Sequence, residues 1–222
     1  MKSRGVIFDM DGVLVDSYNA HLRSWQQTAT RHGLFMSEED FARTFGRTSR
    51  EIIRQLWPGR FTDSKIVEFD LAKEAAYRDV LRQHFPEMPG ASDLIQSLHE
   101  AGFLIAIGSS GPCENVELVR QSLRAGSLIQ AVVHGGEVRH GKPDPEVFLV
   151  AARKLGLEPA CCAVIEDAPV GLQAARRAGM AAIALTGTAD RKMLEVHAHR
   201  VVDHLRELSP DEIAQVVRSA RA

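Results

Sequence analysis

The sequence has few cysteines, few aromatic residues, no strong excess of charge of either sign and no long apolar run. Three cysteines among 222 residues are too few for a disulfide framework, and the adjacent Cys161 and Cys162 lie in an apolar stretch. Such thiols are typical of a reducing compartment. A net charge of −2 gives no broad basic surface for nucleic acid or an anionic membrane. No apolar run approaches the roughly 18 residues that a membrane span requires.

The remaining composition is ordinary for a globular protein. Hydrophobic residues make up 45% and charged residues 25% of the chain, which suffices for a buried core. The length predicts one large domain, or a core with a smaller insert. An apolar strand pattern begins within a few residues of Met1, with no apolar signal-peptide segment before it. We therefore expect a cytoplasmic protein that binds neither nucleic acid nor membrane.

Short apolar runs alternate with helical patterns along most of the chain. The runs are Val6–Phe8, Phe103–Ile107, Ala131–Val133, Cys161–Ile165, Ala181–Leu185 and Arg200–Val202. The helical patterns are Pro112–Arg124, Pro145–Leu155 and Ala168–Ala178. Strands that alternate with helices of about 10–15 residues predict an α/β fold with a doubly wound parallel sheet. Such sheets bind ligands beyond the carboxyl ends of their strands.

One long segment lacks a strand pattern. Its helical patterns are Ser17–Arg31, Ser37–Phe45, Ser49–Leu56 and Asp63–His84. About seventy helical residues are too many for a crossover connection. We therefore predict an inserted, all-helical cap domain at residues 17–88, over the carboxyl edge of a core formed by residues 1–16 and 89–222.

Two aspartates follow the first predicted strand. Asp9 and Asp11 flank Met10, and Gly12 permits a sharp exit that lets both carboxylates reach one cavity. Like charges this close need a cation beside them, or one of them must hold a proton. A divalent metal suits Asp9, and a raised pKa suits Asp11 for proton transfer. The alternative for this motif alone is a strand that ends in an Asp-Gly turn.

Further polar residues fall at the ends of later strands or just before a helix. Ser109 and Ser110 offer a hydroxyl and a pair of free backbone amides as a small anion cradle, although Ser109 could instead cap a helix. Lys142 lies in a turn between glycine and proline, where a lysine alone is usually a solvated charge. Glu166 and Asp167 end a very apolar strand, where unpaired charge is costly. Mg²⁺ explains these two carboxylates better than a helix cap does.

Three segments are specific enough to indicate a family. They are FDMDGVLVDS at Phe8–Ser17, GKPDPEVF at Gly141–Phe148 and IEDAPVGLQAARRAG at Ile165–Gly179. With the serine motif, they resemble the four ordered motifs of the haloacid dehalogenase-like phosphotransferase superfamily. The resemblance is to its capped branch of β-phosphoglucomutases, phosphoglycolate phosphatases and sugar phosphatases, and it covers nearly the whole chain. It implies a Mg²⁺-dependent enzyme, by default monomeric, whose substrate is a small phosphorylated molecule.

The resemblance also implies the roles of the acidic residues. Asp9 is the nucleophile that forms an aspartyl phosphate, and Asp11 is the general acid and then the base. Mg²⁺ would be held by Asp9, the backbone carbonyl of Asp11 and Asp167, with water completing the octahedron. Glu166 would orient those waters or ligate the ion directly.

The same resemblance assigns residues to the phosphoryl group. Lys142, the Ser109 hydroxyl and the backbone amides near Met10 and Ser110 would neutralise the transferring oxygens. Positioning and charge stabilisation of this kind supply most of the catalysis in phosphoryl transfer.

The cap is expected to select the substrate, because the core motifs would contact only the phosphoryl group. His21 and Trp25 share one helix face and resemble a β-phosphoglucomutase pattern, in which the histidine helps to hold the general acid-base until the cap closes. Arg50 best matches that family's phosphate-binding arginine, and Lys73 resembles a cap lysine. A partly buried or solvated helix face is the alternative for all four.

Three functions remain open from the sequence. The first is a phosphatase for a small phosphorylated metabolite, such as a sugar phosphate. The second is a phosphomutase of the β-phosphoglucomutase type with the same intermediate, although Ser110–Asn115 lacks the lysine that contacts substrate in the mutase. The third is a non-catalytic module. Receiver domains also carry a phosphorylated aspartate on a parallel sheet, but they are much shorter and have no cap.

Overall fold

The computed structural model describes residues 3–221, which form two units. One unit is Ser17–Pro86, and the other contains the rest of the described chain. The second boundary falls two residues before the predicted end at 88. Glu87 forms an antiparallel bridge with Val15 and therefore belongs with the sheet-containing unit.

The helical unit, Ser17–Pro86, contains four helices and no strand. They are α1 (Tyr18–Arg31), α2 (Glu38–Thr44), α3 (Ser49–Leu56) and α4 (Asp63–Gln83). Ser37, Thr48 and Thr62 cap the last three, because each side-chain oxygen accepts a backbone N–H from the first turn. The core of this unit combines aliphatic and aromatic side chains and includes Trp25 and Phe69, whose ring centres lie 5.6 Å apart.

The other unit contains a six-stranded parallel sheet in the order β3-β2-β1-β4-β5-β6. The strands are β1 (Gly5–Phe8), β2 (Leu104–Gly108), β3 (Ala131–Val133), β4 (Cys162–Glu166), β5 (Ala181–Leu185) and β6 (Arg200–Val202). β1, β4 and β5 are buried at every residue, which explains their continuous apolar sequence. The chain winds outward from β1 in both directions, so the predicted doubly wound parallel sheet is confirmed.

Among the residues that the structure describes, six α-helices accompany the sheet. They are α5 (Ala91–Glu100), α6 (Cys113–Ser122), α7 (Glu146–Lys154), α8 (Pro169–Arg177), α9 (Arg191–Glu195) and α10 (Pro210–Ser219). The sequence patterns predicted α6, α7 and α8 and missed the other three. The start of α10 carries a readable signal, since Ser209 and Glu212 form a capping box around Pro210. Within the described residues, no helix has the length and apolar character to cross a membrane.

Candidate active site

Three carboxylates meet at the carboxyl edge of the sheet. Asp9, Glu166 and Asp167 each place an oxygen within 4.8 Å of the others, and all three side chains are buried. Asp9 follows β1, whereas Glu166 ends β4 and Asp167 follows it. Parallel pairing of these neighbouring strands brings the acids together. Buried carboxylates this close require positive charge beside them or a proton on one of them.

Lys142 supplies one positive charge to this cluster. Its Nζ atom donates a hydrogen bond to Asp9 Oδ1 and another, at 2.8 Å, to Glu166 Oε1. The Lys142 side chain is only 8% exposed, so it is not a solvated lysine. Burial by itself would lower the pKa of Lys142, but the negative charges of Asp9 and Glu166 outweigh burial and raise the pKa above its usual value.

The cluster still carries more negative than positive charge. Burial raises the pKa of Asp9 to about 7, although Lys142 opposes the shift. Burial, together with the charges of Glu166 and Asp9, raises the pKa of Asp167 well above its usual value. A divalent cation beside Asp9 and Asp167 would relieve this excess, and carboxylate oxygens are ligands that Mg²⁺ prefers. The donor set therefore fits such a cation.

Both carboxylate oxygens of Glu166 have protein donors. Oε1 accepts from Lys142, and Oε2 accepts from the backbone N–H of Ala168 at 2.7 Å. This side chain lies against α8 at Gly171, where a Cβ atom would be 1.7 Å from Oε1. Glu166 thus contacts both Lys142 and the backbone at the start of α8.

Asp11 lies in the turn that follows Asp9, and its side chain is partly buried. Gly12 makes this turn, with φ at 77° and its N–H donating to the Val15 carbonyl at 2.9 Å. A Cβ atom at Gly12 would lie 2.0 Å from Asp167 Oδ2. Glycine is therefore required here both for the left-handed backbone and for the close approach of Asp167.

The serine segment after β2 has fewer free backbone N–H groups for an anion than expected. The Ser109 N–H donates to the Val133 carbonyl, and the buried Ser109 hydroxyl accepts from the Gly111 N–H, both at 3.0 Å. The expectation of a free amide is therefore wrong for Ser109. For the amides of Met10 and Ser110, the part of the chain that the structure describes offers no hydrogen-bond acceptor. Ser109 does not cap α6 either, because Pro112 precedes the first residue of that helix.

The sequence motifs missed Thr188. It lies in the loop after β5, and its hydroxyl donates a hydrogen bond to Asp167 Oδ2. The Thr188 side chain is exposed, whereas Asp167 is buried. The one signal in the sequence is that Thr188 follows the carboxyl end of a predicted strand, as Asp9, Ser109 and Asp167 do.

The helical unit brings together three of its four predicted substrate residues. Lys73 Nζ lies 3.0 Å from His21 Nδ1 and 5.9 Å from the centre of the Trp25 ring. Lys73 and Trp25 are buried, which excludes a solvated helix face for them. Arg50 lies apart from this group, on the surface, where it pairs with Asp63 at 3.5 Å.

Comparison with known proteins agrees with this geometry. The model of the haloacid dehalogenase-like hydrolase family matches residues 6–185. Hexitol phosphatase A of Escherichia coli strain K12 is 34% identical over 194 residues, which are 87% of this chain and 88% of that protein. β-Phosphoglucomutase of Bacillus subtilis strain 168 is 29% identical over 187 residues, which are 81% of this chain and 82% of the mutase.

The fold is shared with a β-phosphoglucomutase of known structure. The crystal structure of a β-phosphoglucomutase from Clostridium difficile matches with a TM-score of 0.83 and 23% identity, over 98% of each chain. The resemblance inferred from the sequence motifs is thus confirmed. The chain belongs to the haloacid dehalogenase-like hydrolase family, as an enzyme of the phosphoric monoester hydrolase type, with a phosphomutase as the alternative.

Proposed function

We propose that this enzyme is a Mg²⁺-dependent phosphatase that hydrolyses a small phosphorylated sugar through an aspartyl phosphate on Asp9. The observation that carries the proposal is the buried cluster of Asp9, Lys142, Glu166 and Asp167 at the carboxyl edge of the sheet. The positive charge of Lys142 suits the binding of an anionic phosphoryl group, and the negative carboxylates suit the binding of a metal cation.

Asp9 is the proposed nucleophile. One of its carboxylate oxygens attacks phosphorus, and the bond from phosphorus to the sugar oxygen breaks. Asp11 gives its proton to that leaving oxygen, so the sugar departs as a neutral alcohol. The products of this step are the free sugar, an acyl phosphate on Asp9 and an ionised Asp11.

Asp11 then acts as the base. It accepts a proton from a water molecule, whose oxygen attacks phosphorus, and the bond from phosphorus to Asp9 breaks. Inorganic phosphate leaves, and Asp9 and Asp11 return to their starting states. Lys142 and the amides of Met10 and Ser110 are proposed to face the phosphoryl oxygens throughout, where fixed positive charge and N–H donors stabilise the transition state.

Asp9, Asp167 and the backbone carbonyl of Asp11 are proposed to hold Mg²⁺. The bound ion would neutralise charge on the phosphoryl oxygens and would keep Asp9 and Asp167 ionised despite their burial. Glu166 is proposed to act through Lys142, since both of its oxygens already accept hydrogen bonds.

The substrate class is proposed from the relatives. Hexitol phosphatase A is named for a phosphorylated hexitol, and β-phosphoglucomutase for a phosphorylated hexose. We propose that the helical unit, with His21, Trp25 and Lys73, provides the selectivity for the sugar. A cytoplasmic location and a monomeric state remain predictions.

A β-phosphoglucomutase-type activity is the second candidate, favoured by the 29% identity to the Bacillus subtilis mutase. It would use the same intermediate, with a sugar hydroxyl in place of water as the acceptor. Arg50, which best matches the mutase's phosphate-binding arginine, pairs with Asp63 in this structure. That exposed pair does not decide between the candidates. The phosphatase is the stronger proposal because Ser110–Asn115 lacks the lysine that contacts substrate in the mutase.

The test is an assay of phosphoryl transfer with Mg²⁺ and a panel of hexitol, hexose and small-acid phosphates. The panel includes β-glucose 1-phosphate with a trace of its bisphosphate, and phosphorus NMR follows the phosphoryl group. Release of inorganic phosphate is the expected result. Movement of the group to the sugar 6-position without release would establish the mutase.

Two variants check the nucleophile in the same assay. Asp9→Asn should abolish turnover while the protein stays folded, because an amide cannot form the acyl phosphate. Asp16→Asn is the matched control, since Asp16 is exposed in the same segment. Full activity of the Asp9→Asn variant would overturn the mechanism.

A further inference from the structure

The three clustered carboxylates are held by different kinds of donor. Asp9 and Glu166 share the ammonium of Lys142, which offsets part of their negative charge. Asp167 accepts its hydrogen bond from the hydroxyl of Thr188. Within residues 3–221, this is the hydrogen bond that the structure gives to the Asp167 carboxylate. A hydroxyl carries no charge, so it fixes the carboxylate and leaves its negative charge available to a cation.

The loop that carries Thr188 is held at both of its ends by contacts with Val202 and Asp203. Before it, the Thr186 N–H donates to the Val202 carbonyl at 3.0 Å, and the Thr186 hydroxyl donates to Asp203 Oδ1 at 2.8 Å. After it, Arg191 Nη2 lies 2.8 Å from the same Asp203 oxygen. These contacts join both ends of the loop to β6 and to the residue that follows β6.

Asp167 also lies close to the turn at Gly12. A Cβ atom at Gly12 would lie 2.0 Å from Asp167 Oδ2 and 3.1 Å from Thr188 Oγ1. The two side chains therefore meet over the bare backbone of Gly12, in space that exists because position 12 lacks a side chain. Thr188 and Gly12 together restrict the directions in which the Asp167 carboxylate can turn.

We infer that Thr188 is a positioning residue for the cation site, where its hydroxyl orients the Asp167 carboxylate for a divalent ion. The inference rests on the proposed function, since it takes Asp167 as a ligand. Donors that orient a metal-binding side chain commonly change metal affinity by 10- to 100-fold when they are removed. Because the Thr188 side chain is exposed, replacing it does not disturb a packed core.

The test is a titration of the substrate-free protein with Mn²⁺, a paramagnetic replacement for Mg²⁺ whose free form is measured by electron paramagnetic resonance. Thr188→Val removes the hydroxyl and keeps the side-chain shape, and it should weaken binding by about tenfold. Thr188→Ser restores a hydroxyl and should bind nearly as tightly as the wild type. Thr186→Val is the matched control, because it removes a hydroxyl of the same loop that bonds to Asp203. It should leave the affinity unchanged.

Failure of this inference is distinguishable from failure of the proposed function. Asp167→Asn, titrated alongside, should lose tight binding. If it does and Thr188→Val binds like the wild type, the inference is wrong and the metal site stands. Tighter Mn²⁺ binding by Thr188→Val would mean that the hydroxyl competes with the ion, and the inference would be wrong. If Thr188→Ser does not recover the wild-type affinity, the hydroxyl has no such role. If Thr186→Val weakens Mn²⁺ binding as much as Thr188→Val does, the loss comes from a change in the whole loop, and the inference about the Thr188 hydroxyl is wrong.

The remaining outcome concerns the site itself. If the wild-type protein does not bind Mn²⁺, or if Asp167→Asn binds it equally well, the proposed metal site is wrong and the inference falls with it.

Discussion

Glu166 occupies the space that a side chain at Gly171 would need. A Cβ atom at Gly171 would lie 1.7 Å from Oε1 and 2.0 Å from Cδ of Glu166. The Glu166 carboxylate cannot swing away freely, because Lys142 and the Ala168 N–H hold its two oxygens. A glycine in α8 thus determines where the carboxylate, and through it the lysine, can lie.

Gly171→Ala should therefore reduce turnover. The loss is expected although alanine is about 1 kcal/mol more favourable than glycine within a helix. The new methyl group must displace Glu166 and break its bond to Lys142, so we expect a loss of about tenfold or more in kcat/KM. Val170→Ala is the matched control, because Val170 is an exposed neighbour on the same helix. Equal activity of the two variants would mean that Glu166 relocates without cost.

Lys142→Met should destabilise the metal-free protein as well as inactivate it. The change leaves Asp9 and Glu166 buried without their ammonium, and removal of one partner of a buried ion pair costs about 3–5 kcal/mol. Urea unfolding followed by circular dichroism measures this loss. Lys192→Met, at an exposed position, controls for the general effect of the substitution. An unchanged free energy of unfolding for Lys142→Met would show that the carboxylates do not depend on this lysine.

Asp11→Asn should affect substrates according to their leaving groups. A sugar alkoxide needs a proton as it departs, and general acid catalysis is worth about 10²–10⁴ in rate. Turnover of sugar phosphates should fall within that range. The first step with p-nitrophenyl phosphate, whose leaving group needs no proton, should be nearly unaffected, and a burst of p-nitrophenol in a rapid-mixing experiment measures it. An equal loss of the first step for both substrates would argue against Asp11 as the acid.

Lys73→Met should destabilise the helical unit. Lys73 Nζ bonds to Glu74 Oε1 at 2.8 Å, with the two side chains only 5% and 15% exposed. Removing its charge takes this ammonium away from a partly buried carboxylate. We therefore expect a loss of about 1–3 kcal/mol in the free energy of unfolding, between the values for exposed and for fully buried pairs. Both tryptophans, Trp25 and Trp57, lie in this unit, so their fluorescence in a urea titration reports its unfolding.

Lys65→Met is the control for Lys73→Met, since Lys65 pairs with Glu68 on the same helix in an exposed position. Its effect should be much smaller, because solvent screens exposed pairs. Equal unfolding midpoints for the two variants would contradict a structural role of the buried lysine.

The three thiols should differ in their reactivity in the native protein. Cys113 is exposed and Cys161 and Cys162 are buried. Burial, with a smaller effect of Cys161, raises the pKa of Cys162 to about 12. A raised pKa lowers the thiolate fraction at any given pH. A thiol reagent at pH 8 should therefore modify one cysteine in the native protein and three in urea. The Cys113→Ser variant should react only after unfolding, and rapid native labelling of it would contradict the assigned burial.

Much of the fold follows from the sequence because local patterns specify it. Continuous apolar runs such as Cys161–Ile165 are what a strand buried on both faces requires, and all six predicted runs correspond to strands. Helices α5 and α9 were missed. The pattern of α5 is short, and α9 spans only five residues, so neither gives a clear periodic signal.

The candidate site was predictable in part for the same reason. Parallel strands carry their carboxyl ends to one edge, so acids that follow β1 and β4 must come together whatever the details of packing. The sequence could not show which backbone amides are free after β2. That depends on Val133, which belongs to a neighbouring strand, and on the rotamer of Ser109.

The sequence by itself determined the six strands, most of the helices and the acidic residues at the strand ends, because these depend on local composition and spacing. Its motifs carried the resemblance to the family. The tertiary structure alone decided that Lys142 joins Asp9 to Glu166, that Gly171 makes room for Glu166, and that Thr188 reaches Asp167. These are contacts between residues distant in sequence or around a helix turn. Their distances are set by how strands and loops pack, and no local pattern encodes them.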